Sequence, residues 1–312
     1  MYVLSRRWRH LWRSASRTLA FDFALSDAGN DASFISSVTE VLALHRCSNI
    51  DKLSIRLNLR SPNVTDLVIC DWIQFAVQRE VRVLDLEACG YITERESLGY
   101  YSPEFRASFD IPGLSSIGYN FPGLEKLLTW PLSIKSCFAS LTSLKLVNFN
   151  VDDETMDYIL SNCSFVERLY LKGGTGLRNL NANSPSLKYL SLGSCWDLKK
   201  LKISGPNLVY FEYKGYRDHG TKWVVEFSFE NVPLLSEVRT FRCIYDANVY
   251  ELLVGIFFAF FVGLVRMCKS LKKLTIKTKK QDIKQQMVAI IGGETLKMLE
   301  DNLADGAEMV IE

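Results

Sequence analysis

Between residues 166 and 215 the hydrophobic positions return in one fixed phrase: an apolar residue, two variable positions, an apolar residue, one variable position, another apolar residue. It reads Val166-x-x-Leu169-x-Leu171, Leu177-x-x-Leu180-x-Ala182, Leu187-x-x-Leu190-x-Leu192, Leu198-x-x-Leu201-x-Ile203 and Leu208-x-x-Phe211-x-Tyr213. The last two apolar positions of each phrase alternate with polar ones, the period-two mark of a short strand with one buried face. Five such strands at nearly constant spacing, with Gly, Asn, Ser and Pro between them, make an internal repeat. Positions 169, 180, 190, 201 and 211 are ten or eleven apart, so a 20–21-residue repeat holds two strands. A ten-residue half has no room for a strand, a turn and a helix. The spacing therefore predicts strands on both faces of this stretch, with 169, 190 and 211 on one face and 180 and 201 on the other.

Before this stretch the rhythm is slower. Residues 33–47 place Phe34, Val38, Val41, Leu42 and His45 on one side of a predicted helix, with Ser33 as N-cap, leading into the strand Ile50-x-x-Leu53-x-Ile55-x-Leu57. A second predicted helix, 66–78, leads into Val81-x-x-Leu84-x-Leu86-x-x-Cys89. A helix then a strand, twice at about thirty residues, resembles the larger, helical type of leucine-rich repeat. Residues 91–121, with Tyr, Pro and Gly among polar positions, break the pattern and read as an inserted loop. The repeat resumes at Leu124-x-x-Leu127 and Leu141-x-x-Leu144-x-Leu146, and a helix is expected over 152–162. Asp152, Asp153 and Glu154 at its start suit the partial positive charge of a helix N-terminus, and capping explains them better than a metal cluster does. After Gly215 come a strand at 223–229, a weaker one at Leu235-x-x-Val238-x-Thr240, a long helix over 249–268, the strand Leu271-x-x-Leu274-x-Ile276, a helix over 294–303 and a last strand at 309–311.

Composition narrows the function classes. The chain has 312 residues, 48% hydrophobic and 23% charged, with a formal net charge of +2, so it is globular and carries no global signal for nucleic acid or an acidic membrane surface. Its eight cysteines stand singly, without a C-x-x-C pair, which points to reduced thiols in the cytoplasm or nucleus. Cys89, Cys163 and Cys195 fall just after strands or at a helix end, where a small residue packs into a tight corner. The N-terminal residues lack the continuous apolar core of a signal peptide. The uncharged run 252–265 is fourteen residues, short of the ~18–20 that a spanning helix needs, so a buried helix is expected there. His10, His45 and His219 have no metal-ligand spacing, and no nucleophile elbow, phosphate loop or dinucleotide fingerprint occurs. Residues 173–176 form a glycine-rich inter-repeat turn. The lysines of 269–284 alternate with Leu271, Leu274 and Ile276, as on the solvated side of a guarded edge strand. No catalytic, cofactor-binding or metal residue is expected, and neither a nucleic-acid nor a membrane partner.

Residues 1–17 place Val3, Leu4, Trp8, Leu11 and Trp12 along one side of an amphipathic helix, with Arg6, Arg7, Arg9 and Arg13 on the other. The wording Val3-Leu4-Ser5-Arg6-Arg7-Trp8-Arg9-His10-Leu11-Trp12, followed by Leu19-Ala20-Phe21-Asp22-Phe23, resembles the last helix of an F-box and the segment after it. The Leu-Pro opening and earlier helices of that motif would lie upstream of Met1, so the first part of the box is expected to be missing. The C-terminal succession of helix, strand, helix and strand resembles the FBD region that follows the repeats in plant F-box proteins. The resemblance implies an α/β leucine-rich-repeat solenoid, a horseshoe with β-strands on both faces in its middle. It further implies three parts: a helical F-box remnant over 1–23, the solenoid over 24–245 and an α+β FBD-like cap over 246–312. It implies a substrate receptor of an SCF-type cullin–RING ubiquitin ligase, with Leu4, Trp8, Leu11 and Trp12 toward an adaptor subunit of the SKP family and a protein target on the repeats. A non-catalytic interaction scaffold or decoy remains the alternative. Tyr170, Lys172, Lys188, Ser191, Lys202 and Tyr210 occupy variable, exposed positions of the repeat and are the candidate target surface.

Overall fold

The computed structural model describes residues 17–23, 31–58, 66–89, 140–149, 151–173, 176–195, 197–216, 225–243, 270–278 and 308–311. Every strand among them runs parallel to its neighbours. Ten strands make one sheet: β1 (Thr18–Asp22), β2 (Lys52–Asn58), β3 (Val83–Cys89), β4 (Ser143–Val147), β5 (Arg168–Lys172), β7 (Tyr189–Gly193), β9 (Tyr210–Tyr216), β11 (Glu237–Cys243), β12 (Lys273–Thr278) and β13 (Glu308–Ile311), in that spatial order. Three more, β6 (Asn179–Asn183), β8 (Lys200–Ser204) and β10 (Glu226–Glu230), make a second sheet in the order β10-β8-β6. From β5 to β11 the chain alternates between the two sheets at every strand, so the division of leucines between two faces holds as the spacing predicts.

Three helices stand between successive strands of the large sheet in the earlier part: α1 (Asp31–Leu44), α2 (Asp66–Gln78) and α3 (Asp153–Asn162). α2 occupies the bounds expected from its pattern. α1 differs: it already runs at Asp31, so Ser33 lies inside it and is not its cap, and it ends before His45. For α3 the acidic start is a cap: Asp152 Oδ1 accepts the Thr155 N–H at 2.8 Å. Asp153 ties the helix to the next layer, with its Oδ1 accepting the N–H groups of Arg178 (2.6 Å) and Asn179 (2.9 Å). At this point backing by helix gives way to backing by strand.

The core lies between the large sheet and its backing. Leu169, Leu190 and Phe211 from one side meet Leu180, Leu201 and Ile203 from the other, all of them buried. Phe211 bridges the layers edge-on to Phe229 and Phe227 of β10, with ring centres 5.6 and 6.4 Å away. In the helical part Trp72 of α2 is buried, and its Nε1–H donates to Thr39 Oγ1 of α1 at 3.3 Å. His45 is buried edge-on to Phe75, a structural position.

Two further expectations are corrected. The strand expected at 223–229 is Glu226–Glu230 and belongs to the second sheet. The lysine-flanked strand at 271–276 is not an edge, because β13 pairs with β12 on the side away from β11. β1 pairs in register with β2, and β12 and β13 continue from β11, so one sheet crosses both expected domain boundaries. The elements expected over 1–16, 91–121, 249–268 and 294–303, with Leu124 and Leu127, lie outside the described residues. Among the described residues no helix is long and apolar enough to cross a membrane.

Candidate functional site: the open face of the large sheet

Strand alternation sends every second side chain of the large sheet away from the core, and the parallel register stacks these side chains in rows. The middle row reads Ala20, Ser54, Asp85, Lys145, Tyr170, Ser191, Glu212 and Arg239 from β1 to β11. A flanking row carries Lys52, Val83, Ser143, Arg168, Tyr189, Tyr210 and Glu237. The two ends of this face differ in chemistry.

Over β1 to β4 the face is a closed network of charges. Arg56 bridges Asp22 (3.3 Å) and Glu87 (3.2 Å), and Lys145 bridges Glu87 (3.0 Å) and Asp85 (3.5 Å). Lys52 reaches Asp85 at 3.9 Å, and Ser54 Oγ donates to the same carboxylate at 3.3 Å. Asp85 and Glu87 keep only 18% of their side chains exposed, so the network is partly withdrawn from water and screened less than a surface pair. Burial alone would lower the Lys145 pKa, but its hydrogen bond to Glu87 and the charges of Asp85 and Glu87 outweigh that and raise it.

Over β5 to β11 the face is aromatic with interleaved cations. Arg168 lies over the Tyr189 ring (5.1 Å to its centre), Tyr189 stands 6.3 Å from Tyr210, and Arg239 lies over Tyr210 at 5.7 Å. Lys145 approaches the Tyr170 ring at 5.8 Å, joining the two ends. Burial, then the neighbouring Glu212 carboxylate, pushes the Tyr210 hydroxyl up to about 12, so it stays neutral and acts as a donor. Ser191 Oγ donates to Glu212 at 2.8 Å, and Lys214 pairs with Glu212 at 2.9 Å. Arg239 pairs with Glu237 at 2.7 Å, and Lys188 with Glu167 at 2.7 Å.

Of the six surface residues expected from the repeat, Tyr170, Lys172, Ser191 and Tyr210 lie on this face, and Lys188 stands beside it just before β7. Lys202 does not: it is on β8 in the second sheet, paired with Glu230 at 3.0 Å. The spacing had already put Leu201 on the opposite side, and its neighbour goes with it. Arg168, Tyr189 and Arg239 were missed. The available signal was the 21-residue offset, which carries Arg168 onto Tyr189 and then Tyr210. Leu4, Trp8, Leu11 and Trp12 lie outside the described residues.

Two thiols are held in their protonated form. Burial pushes Cys163, the C-cap of α3, up to about 12, and Cys195 likewise. Among the described residues no three His, Cys, Asp or Glu side chains gather as a metal site.

Residues 41–303 match the family model described as the At1g61320/AtMIF1 leucine-rich-repeat domain. Similar proteins of Arabidopsis thaliana include the F-box/FBD/LRR-repeat protein At5g56420, 29% identical over 61% of this chain and 42% of its own length. The FBD-associated F-box protein At5g56370 is 27% identical over 62% of this chain and 48% of its own. The putative F-box protein At1g49610 is 32% identical over 66% and 47%. The matched stretch thus spans less than half the length of each of these relatives. With parallel strands at repeat spacing and a domain match over most of its length, the chain belongs to the plant F-box/leucine-rich-repeat family.

Proposed function

We propose that the chain is the substrate-recognition subunit of an SCF-type cullin–RING ubiquitin ligase, holding a protein target on the open face of its large sheet. The observation that carries this is the face itself: the exposed Tyr189 and the half-buried Tyr170 and Tyr210 interleaved with arginines on a sheet, residue types that dominate protein interfaces. The names of the similar proteins support the F-box part of the reading. In this proposal the two sheets curve as a horseshoe solenoid with the tyrosines on the inner side. Residues 1–23 serve as part of an F-box, 24–245 as the repeats and 246–312 as the FBD-like cap, with the sheet continuous through all three. Leu4, Trp8, Leu11 and Trp12 meet the SKP-family adaptor, and the chain itself performs no chemistry.

Retention of a purified SKP-family adaptor on the immobilised chain tests the reading. Adaptor should be retained by the chain and lost when Leu4, Trp8, Leu11 and Trp12 are all replaced by Ala. No retention, or equal retention by both, overturns the ligase role and leaves the interaction scaffold.

A further inference from the structure

The charges of the open face cancel almost everywhere. At the β1–β4 end Asp22, Asp85 and Glu87 answer Lys52, Arg56 and Lys145. At the other end Glu167, Glu212 and Glu237 answer Lys188, Lys214 and Arg239. On β5, Arg168 and Lys172 have no carboxylate at ion-pair distance among the described residues, although Arg168 is near enough to Glu167 to help Lys188 lower its pKa. Arg82 and Lys272, level with Glu167 at the strand starts, stand likewise. Arg168 and Lys172 project from β5 on the open side, with Tyr170 between them. Arg168 lies over Tyr189, which is 40% exposed although it is a large ring on a sheet face. β5 thus carries two cations, at separate levels of the strand, where the charge network meets the tyrosines.

We propose that β5 docks an extended acidic segment of a protein partner, its carboxylates meeting Arg168 and Lys172 and a neighbouring apolar side chain lying on Tyr189. This rests on the reading of the large sheet as a target-binding face. Complementarity of charge argues for the occupant: a partner that brings two negative charges gives Arg168 and Lys172 the carboxylates that the neighbouring cations Lys145, Lys188, Lys214 and Arg239 already have. The spacing argues for separate carboxylates. Four residues of strand put the two cations about 13 Å apart at their backbones, a distance that suits an extended acidic chain. A single phosphate is held by converging donors, as in a bidentate arginine clamp. Tyr189 contributes flat apolar area that loses little entropy on binding.

Fluorescence anisotropy with the full 312-residue chain tests the proposal. The probe is a fluorescein-labelled Glu-Tyr random copolymer, and a labelled oligothymidylate serves as the phosphate polyanion. The wild-type chain should bind the copolymer more tightly than the oligothymidylate. R168E/K172E should weaken copolymer binding by about tenfold or more, while K200E/K202E on the second sheet changes it by less than about twofold. Far-UV circular dichroism checks each variant, and R168Q/K172Q replaces the charge reversal if that variant does not fold. Three outcomes overturn the proposal: no copolymer binding, equal effects of the two double variants, or oligothymidylate bound as tightly as the copolymer. Adaptor retention scored on the same preparations separates the two readings. Absent copolymer binding with adaptor retained overturns only the docking strand, and intact copolymer binding without adaptor overturns only the ligase role.

Discussion

Ser54 and Asp85 are neighbours on the large sheet and lie 31 residues apart in the chain, whereas Ser191 and Glu212, also neighbours, lie 21 apart. Ten residues decide what backs the sheet. The longer turn accommodates α2, thirteen residues and so about 20 Å of helix. The shorter turn leaves room for five-residue strands such as β6 and β8, and these find hydrogen-bond partners in a second sheet with β10. The sheet itself is indifferent, because β2, β3, β7 and β9 pair in the same parallel register. The comparison teaches that the front of this molecule is set by the leucine phrase and the back by how many residues each turn contains. A third consequence appears on the open face. Where helices back the sheet the outward side chains are a charge network, and where strands back it they are aromatic with interleaved cations.

The sharpest way to break the comparison is to empty the core of each half. Phe211→Ala removes the ring that joins the two sheets and should cost about 3–5 kcal/mol, read as a fall in the urea midpoint. Trp72→Ala should cost a similar amount in the helix-backed half. A loss below about 1 kcal/mol for Phe211→Ala alone would mean that the strand backing is not packed as a core.

Next in size is the turn that follows β5. Gly173 has φ +73°, and a Cβ there would collide with the Asn148 side chain. Gly173→Ala should lose about 1–3 kcal/mol. Gly193→Ala, where a Cβ would first meet the flexible Lys172 stem at 3.4 Å, should stay within about 0.5 kcal/mol. Equal losses at both would remove the argument from turn conformation.

The junction of the two halves can be read by pH. The Cys163 thiol is buried, and its folded pKa, near 12, lies above the ordinary value of 9.0. Its contribution is fully present below pH 9 and is lost as pH rises toward 12, because only the unfolded chain ionises freely in that range. Stability should fall by about 1 kcal/mol from this group between neutrality and pH 10. Urea unfolding at the two pH values should show that part of the fall abolished in Cys163→Ala. An unchanged fall would place the thiol in contact with water. Smallest is the Lys200–Glu226 pair on the second sheet, with its side chains 65% and 73% exposed. Lys200→Ala should change stability by less than about 0.5 kcal/mol.

Much of the fold was legible because the strands obey a period that buries alternate residues, and because ten residues are too few for a helix. Leu169, Leu190 and Phe211 separate from Leu180 and Leu201 on that ground alone. The start of α1 was not, since Ser33 is a good cap by type and only the backbone shows the helix already formed at Asp31. Nor was the interior place of β12, because its second partner, Glu308–Ile311, comes from the far end of the chain. On the open face Tyr170 and Tyr210 could be named, being variable positions between leucines. The stacking of Arg168 on Tyr189 and of Arg239 on Tyr210 depends on inter-strand register, which one strand's pattern does not contain.

The central claim is that in the strand-backed half two strands, one per sheet, make the repeating unit. Two deletions test it by equilibrium urea unfolding. Removing residues 170–190 takes out one whole turn and joins Leu169 to Ser191 in the register that Leu169 and Leu190 already share. Removing 170–180 takes out half a turn and fuses the start of β5 to the end of β6. The account predicts a single cooperative transition at a lower midpoint for the first deletion and no cooperative transition for the second. Indistinguishable behaviour of the two deletions would contradict it.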